Sequence, residues 1–512
     1  MLLTVSRSAA WLIATSLLLA AGVTFFFSLN HPISADLAML HYSAWVINEK
    51  NFVLYRDIFD INFPAPYLFH SLLGKLIGYE AAPLRWVDFV LMSTLGWASW
   101  RIISPFSKPA AVTGFSLFCL LYWAQGGEFA LERDVLALVP AVIAFALASN
   151  KKTSLLICVL IGYFAALACS MKPNSVVIVP VLLWMLYRSN SITMNKKTST
   201  LVVCLCSMAS VSLIPFIWVS ANNGLRSFFD IYQHYMPIYA NSRYDLWHYE
   251  NSTERWMTLL TQYLRFAGIS LLLSLPGLVW AWLQNTQNTE ARQHILQLAA
   301  MTFSFTFYEA IAGKFWFNHM FPSAYWSFLC LSLLLITPST NAAAWKKYLA
   351  IIFLVPCAAL GWLLSKTTVP TMQQAHIKEQ QTPNSWRAKQ VANFLLTHPI
   401  KPEETVQVLD MAGDGQAALL MARATSATKF LIDVPLWMEP DSESIKKLRA
   451  EFVAELQQKN PTYIVYFEQF LHPGGGNRLK EFKPLYQWIT QNYAIVEQRE
   501  AAYIIFQRKA DQ

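Results

Sequence analysis

Apolar runs of about 20 residues constrain this chain more than any other feature, because a run of that length spans the hydrocarbon core of a bilayer. Such runs recur over the first 365 of its 512 residues. Only 14% of the residues are charged, whereas soluble domains carry about 25%. The sequence therefore predicts a polytopic α-helical membrane protein. The apolar segments lie near 8–29, 65–79, 83–100, 110–124, 135–149, 153–170, 174–187, 198–220, 257–283, 295–312, 319–337 and 345–364.

The first run and the overall charge exclude some classes of protein. Segment 8–29 has a weakly basic start and no small-residue cleavage site, so we interpret it as a retained span rather than a signal peptide. The net charge of +8 is spread along the chain, which argues against a nucleic-acid partner. All seven cysteines fall in apolar segments, which favours packing over a zinc site.

Lysine and arginine residues on the short loops indicate the topology, because cytoplasmic loops carry an excess of them. Segment 65–79 is short and contains His70 and Lys75, so we predict that it does not cross. Four loops on one side then carry nine basic residues, against three on the opposite loops. We expect 11 spans in the inner membrane, with the N-terminus cytoplasmic and the C-terminus outside. The nine are Arg101, Lys108, Lys151, Lys152, Arg188, Lys196, Lys197, Lys346 and Lys347, and the three are Arg133, Lys172 and Lys314.

Acidic residues concentrate on the predicted outer face. Of the 15 acidic residues before position 365, only Glu290 lies on a predicted cytoplasmic loop. Since acidic residues do little to set topology, we expect a polar reaction site on the outer face, which includes large loops at 30–82 and 221–256. In the first loop, helical spacing over 36–49 predicts a helix in the membrane interface, with Tyr42 and Trp45 at headgroup depth.

The composition becomes that of a soluble protein from about residue 370. Short runs rich in β-branched and aromatic residues predict strands at 405–410, 429–434, 462–468 and in a pair near the C-terminus. Amphipathic spacing predicts helices over 385–398, 442–459 and 483–492. We therefore predict two domains. A membrane module covers 1–365, and a small extracytoplasmic α/β domain covers 370–512.

Four outer segments carry side chains suited to chemistry. The first holds Asp36 and, in "YRDIFDINFPAP" (55–66), Asp60 and Asn62; the second, "GGEFALERD" (126–134), holds Glu132, Arg133 and Asp134; the third, "SMKPNS" (170–175), holds Lys172; the fourth, "GKFWFNHMFPS" (313–323), holds Lys314 and His319.

Each residue taken alone has a structural explanation. Asp36, beside the possible N-cap Ser34, would stabilise a helix start by about 0.3–1 kcal/mol, and Lys172 would extend to the lipid headgroups. Taken together, carboxylates and isolated cations at bilayer depth suit a substrate that is part lipid and part anion. Basic groups hold a phosphate, and a carboxylate takes the proton of an attacking hydroxyl. The combination predicts glycosyl transfer from a lipid-phosphate sugar.

These motifs, in this order, resemble the GT-C class of multi-pass glycosyltransferases, in the branch of the protein O-mannosyltransferases and the lipid A aminoarabinose transferase. The resemblance covers about the first 340 residues. Its motifs are Asp36 after the first span, "YRD…DxNxPxP" (55–66), Gly78 with Arg85, "ERDxLAL" (132–138), "KP" (172–173) and "GKF…NHxxP" (313–322). The chain departs from the class in having Leu37 after Asp36, where many relatives have a second acid.

The resemblance implies a polyprenyl-phosphate sugar donor, an envelope glycan, lipid or protein as acceptor, and an inverting mechanism. Asp36 then takes the place of the catalytic carboxylate, with Asp60 as its rival. Lys172, Arg133, Lys314 and His319 are the expected donor-phosphate contacts, and Glu132, Asp134 and Asn62 the expected contacts for positioning acceptor or sugar. We expect Asp36 and Lys172 to face one cavity. No cofactor is indicated with certainty, and a divalent metal stays open.

Three other classes of function stay open. An oligosaccharide ligase or polymerase would use a lipid-diphosphate donor. A secondary transporter or lipid flippase would be favoured by internal repeats and broken helices near the bilayer midplane, but no convincing repeat is present. A non-catalytic membrane scaffold is disfavoured by the charged short loops.

Overall fold

The computed structural model describes residues 6–125, 127, 129–150, 154–189, 194–243, 249–337, 383–398, 400–410, 413–468, 478–500 and 502–509. The predicted span 345–364 lies outside the described residues, as do Glu128 and the loop lysines 151, 152, 346 and 347.

The described chain before residue 338 is built mainly of α-helices. In chain order they are α1 Arg7–Ser28, α2 Ala35–Lys50, α3 Ala65–Ile77, α4 Ala81–Ile103, α5 Lys108–Trp123, α6 Arg133–Ala148, α7 Leu155–Met171, α8 Val179–Arg188, α9 Met194–Ala221, α10 Leu225–His234, α11 Met236–Asn241, α12 Ser252–Gln284, α13 Thr289–Ala312 and α14 Phe321–Ser332. Short 3₁₀ segments at Pro173–Ile178, Phe317–Met320 and Leu333–Leu335 adjoin them.

Eleven of the twelve apolar segments coincide with these helices, so the predicted polytopic α-helical fold is confirmed. Within the described ranges, four helices, α1, α9, α12 and α13, are long and apolar enough to cross a bilayer by length and composition. Helix α3 has 13 residues and rises about 20 Å, less than the hydrocarbon thickness of about 30 Å. The number of spans and the orientation of the termini stay predictions.

The chain divides into two compact units. Unit 1 contains the described residues of 1–31, 82–214 and 253–373, and unit 2 contains those of 32–81, 215–252 and 374–512. Unit 1 therefore holds most of the apolar helices. Unit 2 combines two interrupting segments of the membrane module with the C-terminal chain.

Close helix packing in unit 1 depends on small residues. A Cβ atom added at Gly277 of α12 would lie 1.8 Å from the carbonyl oxygen of Cys330 on α14. Because that neighbour is backbone, the two helices would have to separate. Gly268, in the same helix, has nothing within 4 Å of the corresponding position.

We expect Gly277→Ala to destabilise the protein by about 1–3 kcal/mol or more, as overpacking does. Gly268→Ala should be neutral or stabilise it by up to about 1 kcal/mol, because alanine favours helix. Thermal unfolding of both variants in the same detergent measures the difference. Equal effects of the two substitutions would contradict this packing.

Helix α2 is a core helix of unit 2. Tyr42 is fully buried and Trp45 is 5% exposed. The Tyr42 hydroxyl donates a hydrogen bond to the carbonyl of Ala424 at 3.0 Å and accepts one from the N–H of Ser426 at 2.8 Å. The helix predicted over 36–49 is confirmed, and its two aromatic side chains, predicted to face the lipid headgroups, are buried in the protein. Tyr42 packs against the C-terminal chain.

The C-terminal chain forms a small α/β domain, as predicted. Its sheet has the order β1–β2–β4–β3, with β1 parallel to β2 and the other two pairs antiparallel. The elements are α15 Pro383–Thr397, β1 Val406–Leu409, α16 Asp414–Ala422, α17 Val434–Trp437, α18 Glu443–Lys459, β2 Tyr463–Phe467, α19 Arg478–Glu481, α20 Lys483–Asn492, β3 Tyr493–Arg499 and β4 Tyr503–Arg508.

One predicted strand of this domain is wrong. Segment 429–434 is bent, and helix α17 begins at Val434 with Pro435 in its first turn. The preceding chain pairs with β1 only around Ser426. The apolar segment 429–434 is buried by side-chain packing rather than by strand pairing. Phe430, for example, stacks on Phe59 with ring centroids 5.2 Å apart.

A buried carboxylate in this domain gives a pH-dependent stability. Asp433 is 3% exposed, and one of its oxygens has no hydrogen-bond partner among the described residues. Burial raises the pKa of Asp433 to about 7, against a hydrogen bond from Trp437, and the nearby Asp410 adds to the rise. The unfolded value is about 3.9. The native state therefore binds more protons between these values, and this group lowers stability as pH rises from about 4 to about 7.

We expect Asp433→Asn to become more stable relative to wild type as pH rises from about 4 to 8, because asparagine carries no charge to bury. The thermal midpoint of the full chain across this range measures the effect. Asp441→Asn, at an exposed position, is the matched control. A constant difference between Asp433→Asn and wild type would contradict the assignment.

Candidate functional site

The loop leading into α6 is held by α4 and α5. The Tyr122 hydroxyl donates to Asp88 at 2.6 Å, and the indole N–H of Trp123 donates to the same carboxylate at 3.0 Å. The Tyr122 oxygen then accepts the N–H of Leu131 at 3.0 Å. Leu131 has a φ of 53°, in the left-handed region that non-glycine residues rarely adopt. This turn brings Glu132 to the N-cap of α6 and Asp134 into its first turn.

Asp134 is the centre of a buried polar cluster in unit 1. Both of its oxygens accept from the Lys172 amine, at 2.7 and 2.6 Å. The Tyr308 hydroxyl donates to Oδ1 at 2.8 Å, and the Asn318 amide donates to Oδ2 at 3.2 Å. Asn174 donates at 2.9 Å to the Tyr308 carbonyl. The cluster thus joins the starts or ends of α6, α7, α13 and the 3₁₀ segment Phe317–Met320.

The bonds on Asp134 define what this group can do. An ionised carboxylate has about four acceptor positions, and these four are filled by protein donors. Asp134 is fully buried and Lys172 is 7% exposed. The arrangement suits Asp134 to holding a cation in a fixed place rather than to accepting a proton from a substrate.

Lys172 keeps capacity for a further partner. Its ammonium group has three N–H donors, and two of them are used by Asp134. No third hydrogen bond is present among the described residues. The ammonium also lies 5.8 Å from the centre of the Tyr308 ring, within the range of a cation–π contact.

Other predicted residues surround this pair. His319 is buried and within electrostatic range of Lys172, Asp134, Arg133 and Lys314. Its Nδ1 has no hydrogen-bond partner among the described residues. Lys314 and Glu132 are each 2% exposed. The structure therefore brings together the residues predicted from the second, third and fourth segments, and sets three cations, Arg133, Lys172 and Lys314, around one region.

The remaining predicted residues lie in unit 2. Asp36 is half-buried, in the first turn of α2. Asp60 is 4% exposed, and its Oδ1 accepts the N–H of Asn62 at 2.7 Å. The Asn62 carbonyl in turn accepts from the Tyr55 hydroxyl at 2.5 Å. Asp60 thus stabilises its own turn.

One member of the cluster was missed from the sequence, and another was given no role. Tyr308 lies near the end of an apolar run, where an aromatic residue is expected at the interface. Asn318 lies in the predicted fourth segment, 313–323, beside Lys314 and His319, but no role was assigned to it. Glu309, buried and accepting from Ser323 at 2.5 Å, was also missed; an acid so near the end of an apolar helix was its only signal. Among the described residues, no group of three or more His, Cys, Asp or Glu side chains is placed to hold a metal ion.

The helices and the appended α/β domain form an ArnT-like fold, as the resemblance implied. The chain is similar to ArnT, the lipid A aminoarabinose transferase, of Cupriavidus metallidurans. The apo structure of that protein matches at a TM-score of 0.57 and 13% identity, with 98% of each chain covered. The structure of ArnT bound to undecaprenyl phosphate matches at a TM-score of 0.56 and 12% identity, and covers 96% of this chain and 97% of that one.

A weaker similarity extends to the oligosaccharyltransferase AglB of Archaeoglobus fulgidus, in complex with an inhibitory peptide and a dolichol-phosphate. It has a TM-score of 0.44 and 12% identity, and covers 89% of this chain and 69% of that one. No protein-family model and no curated protein sequence matches the chain. At these identities, the similarity to ArnT establishes the fold.

Proposed function

We propose that this protein is a membrane glycosyltransferase that moves a sugar from a polyprenyl-phosphate donor to a glycan, lipid or protein of the cell envelope. The observation that carries the proposal is the buried Asp134–Lys172 ion pair, with Arg133 and Lys314 in the same region, in an ArnT-like fold. Burying charges is costly, and such a cluster among apolar helices marks a functional site. A lipid phosphate is the ligand that combines an anion with a chain suited to those helices.

In this proposal the unit 1 cluster binds the donor phosphate. Lys172 donates its third N–H to a phosphate oxygen, and Arg133 and Lys314 add positive potential. His319 supplies a ring nitrogen as a further hydrogen-bonding group. The cations stabilise the charge that develops on the phosphate as the sugar leaves. Asp134 keeps the Lys172 ammonium charged and in place.

Asp36 is the proposed general base. Its carboxylate takes the proton of the acceptor hydroxyl while that oxygen forms a bond to the anomeric carbon. The bond from the anomeric carbon to the phosphate oxygen breaks, and its electron pair leaves with the polyprenyl phosphate. Attack opposite the leaving group inverts the anomeric configuration. Glu132 and Asn62 are proposed to orient acceptor or sugar, and the reaction is proposed to occur on the outer face of the inner membrane.

The test is a transfer assay with purified full-length protein, a panel of radiolabelled polyprenyl-phosphate hexoses and pentoses, and cell-envelope lipid extract. We expect label on an acceptor of inverted anomeric configuration, together with free polyprenyl phosphate. A donor that crosses vesicle membranes uncleaved would indicate a carrier instead. Transfer only from a lipid-diphosphate oligosaccharide would indicate a ligase.

A further inference from the structure

The helix that carries Asp36 is bound along one face to the C-terminal domain, within unit 2. Three residues of α2 make the contacts, Ala35, Ala38 and Tyr42. Their spacing of three and four residues places them on the same side of a helix. Asp36 lies two positions before Ala38, about 160° from it around the helix axis, so its side chain leaves α2 away from the bound face.

The first contact lies at the peptide group next to Asp36. Gly413 precedes α16 with a φ of 90°. A Cβ atom there would lie 2.4 Å from the Ala35 carbonyl oxygen and 2.8 Å from its carbonyl carbon. That carbon is bonded to the backbone nitrogen of Asp36. Only glycine permits both this φ and this approach.

Ala35 itself is held in an unfavourable conformation. Its φ is 50°, in the left-handed region, which costs an L-residue roughly 1–2 kcal/mol. Ser34, the N-cap of α2, makes no side-chain capping bond. A strained residue at a helix start persists where its surroundings impose it, and here the Gly413 turn abuts its backbone.

Two further contacts fix the same face. Ala38 packs with Ala388 of α15 and Ala417 of α16, each at most 2% exposed. Such small side chains let helices approach closely. One turn on, the Tyr42 hydroxyl bonds both Ala424 and Ser426. The side chains that follow Gly413 on α16 thus run beside those that follow Ala35 on α2.

We propose that the C-terminal domain positions the catalytic base, with Gly413 as a positioning residue that sets the backbone of Ala35 and thereby the direction of the Asp36 carboxylate. This inference rests on the proposed role of Asp36. It gives the domain a task in the chemical step, because a displacement of about 1 Å at a reacting group costs up to about 100-fold in rate.

The test compares Gly413→Ala with Gly415→Ala. The control substitution lies in the same turn, but its Cβ meets the Val408 side chain at 2.8 Å, inside the C-terminal domain. We expect Gly413→Ala to lower kcat about 10- to 100-fold with the donor KM within about twofold. Gly415→Ala at equal folded fraction should keep kcat within about threefold. Ala35→Gly added to Gly413→Ala should restore part of kcat, since glycine lets this backbone shift.

Hydrogen–deuterium exchange of full-length protein provides a readout independent of activity. We expect faster exchange in peptides covering 35–40 for Gly413→Ala and unchanged exchange there for Gly415→Ala. If Gly413→Ala does not fold, Tyr42→Phe tests the same face with Tyr503→Phe as control, since the Tyr503 hydroxyl donates to Glu497 within the C-terminal domain.

The outcomes separate this inference from the proposed function. In an active enzyme, the positioning role would be overturned if each variant had the same kcat as its control and the same hydrogen–deuterium exchange in peptides covering 35–40. Lack of rescue by Ala35→Gly would also overturn it. A wild-type protein that transfers no sugar would instead overturn the proposed function.

Discussion

We expect Asp36→Asn to lower the rate of sugar transfer by about 10²- to 10⁴-fold, the usual contribution of a general base. Asparagine has nearly the same shape but cannot accept the proton of the acceptor hydroxyl. The donor KM should change little, because the donor phosphate is proposed to bind elsewhere. The measurement is initial transfer rate in membranes with matched amounts of protein.

Asp60→Asn is the matched comparison for that experiment. The Asp60 oxygen accepts a backbone N–H within its own turn, so its substitution should affect stability more than the rate per folded molecule. Asp36→Asn also loses a helix-start charge worth about 0.3–1 kcal/mol, too little to imitate loss of a base. If Asp36→Asn transferred sugar at the wild-type rate and Asp60→Asn did not, Asp60 rather than Asp36 would be the general base.

Lys172→Met should have the largest effect on stability. It leaves the fully buried Asp134 carboxylate without its counterion, and breaking a buried pair from one side costs about 3–5 kcal/mol. The double variant Lys172→Met/Asp134→Asn should recover part of this loss, because no net charge then remains unpaired. Chemical unfolding of the detergent-solubilised protein measures the free energy of unfolding for all three.

Loss of Lys172 should also weaken binding of the donor phosphate. We expect the double variant Lys172→Met/Asp134→Asn, even where it folds, to have a higher donor KM and a lower kcat than wild type, because the Lys172 ammonium is proposed to stabilise the leaving phosphate. Lys196→Met, at an exposed position on α9, is the control for loss of a lysine. Stability and donor KM equal to that control would contradict the role of the pair.

The sequence predicted the helices well because membrane helices are set by local composition. Segment 8–29 corresponds to Arg7–Ser28, and the amphipathic segment 483–492 coincides with Lys483–Asn492. In both cases the period and the length of the hydrophobic pattern are enough to locate the helix. The predicted strand 429–434 failed because a short apolar run does not distinguish strand pairing from packing, and Pro435 favours a helix start.

The site was only partly predictable, since its partners come from distant segments. Arg133, Lys172 and Lys314 stood out as charges near apolar runs, and the structure groups them. Their connection through Tyr308 and Asn318 depends on how α6, α7 and α13 pack, which spacing does not encode. Tyr42 failed for a similar reason: an aromatic residue on an amphipathic helix suggests a lipid surface, whereas the C-terminal domain covers it.

The most direct test of the central claim uses a donor labelled in both the sugar and the phosphate. In single-turnover reactions with purified protein, we predict one polyprenyl phosphate released for each sugar transferred, with both labels appearing at the same rate in wild type and slowed together in Asp36→Asn. Sugar transfer with the phosphate label retained on the product, or no cleavage of the donor by wild-type protein, would contradict the claim.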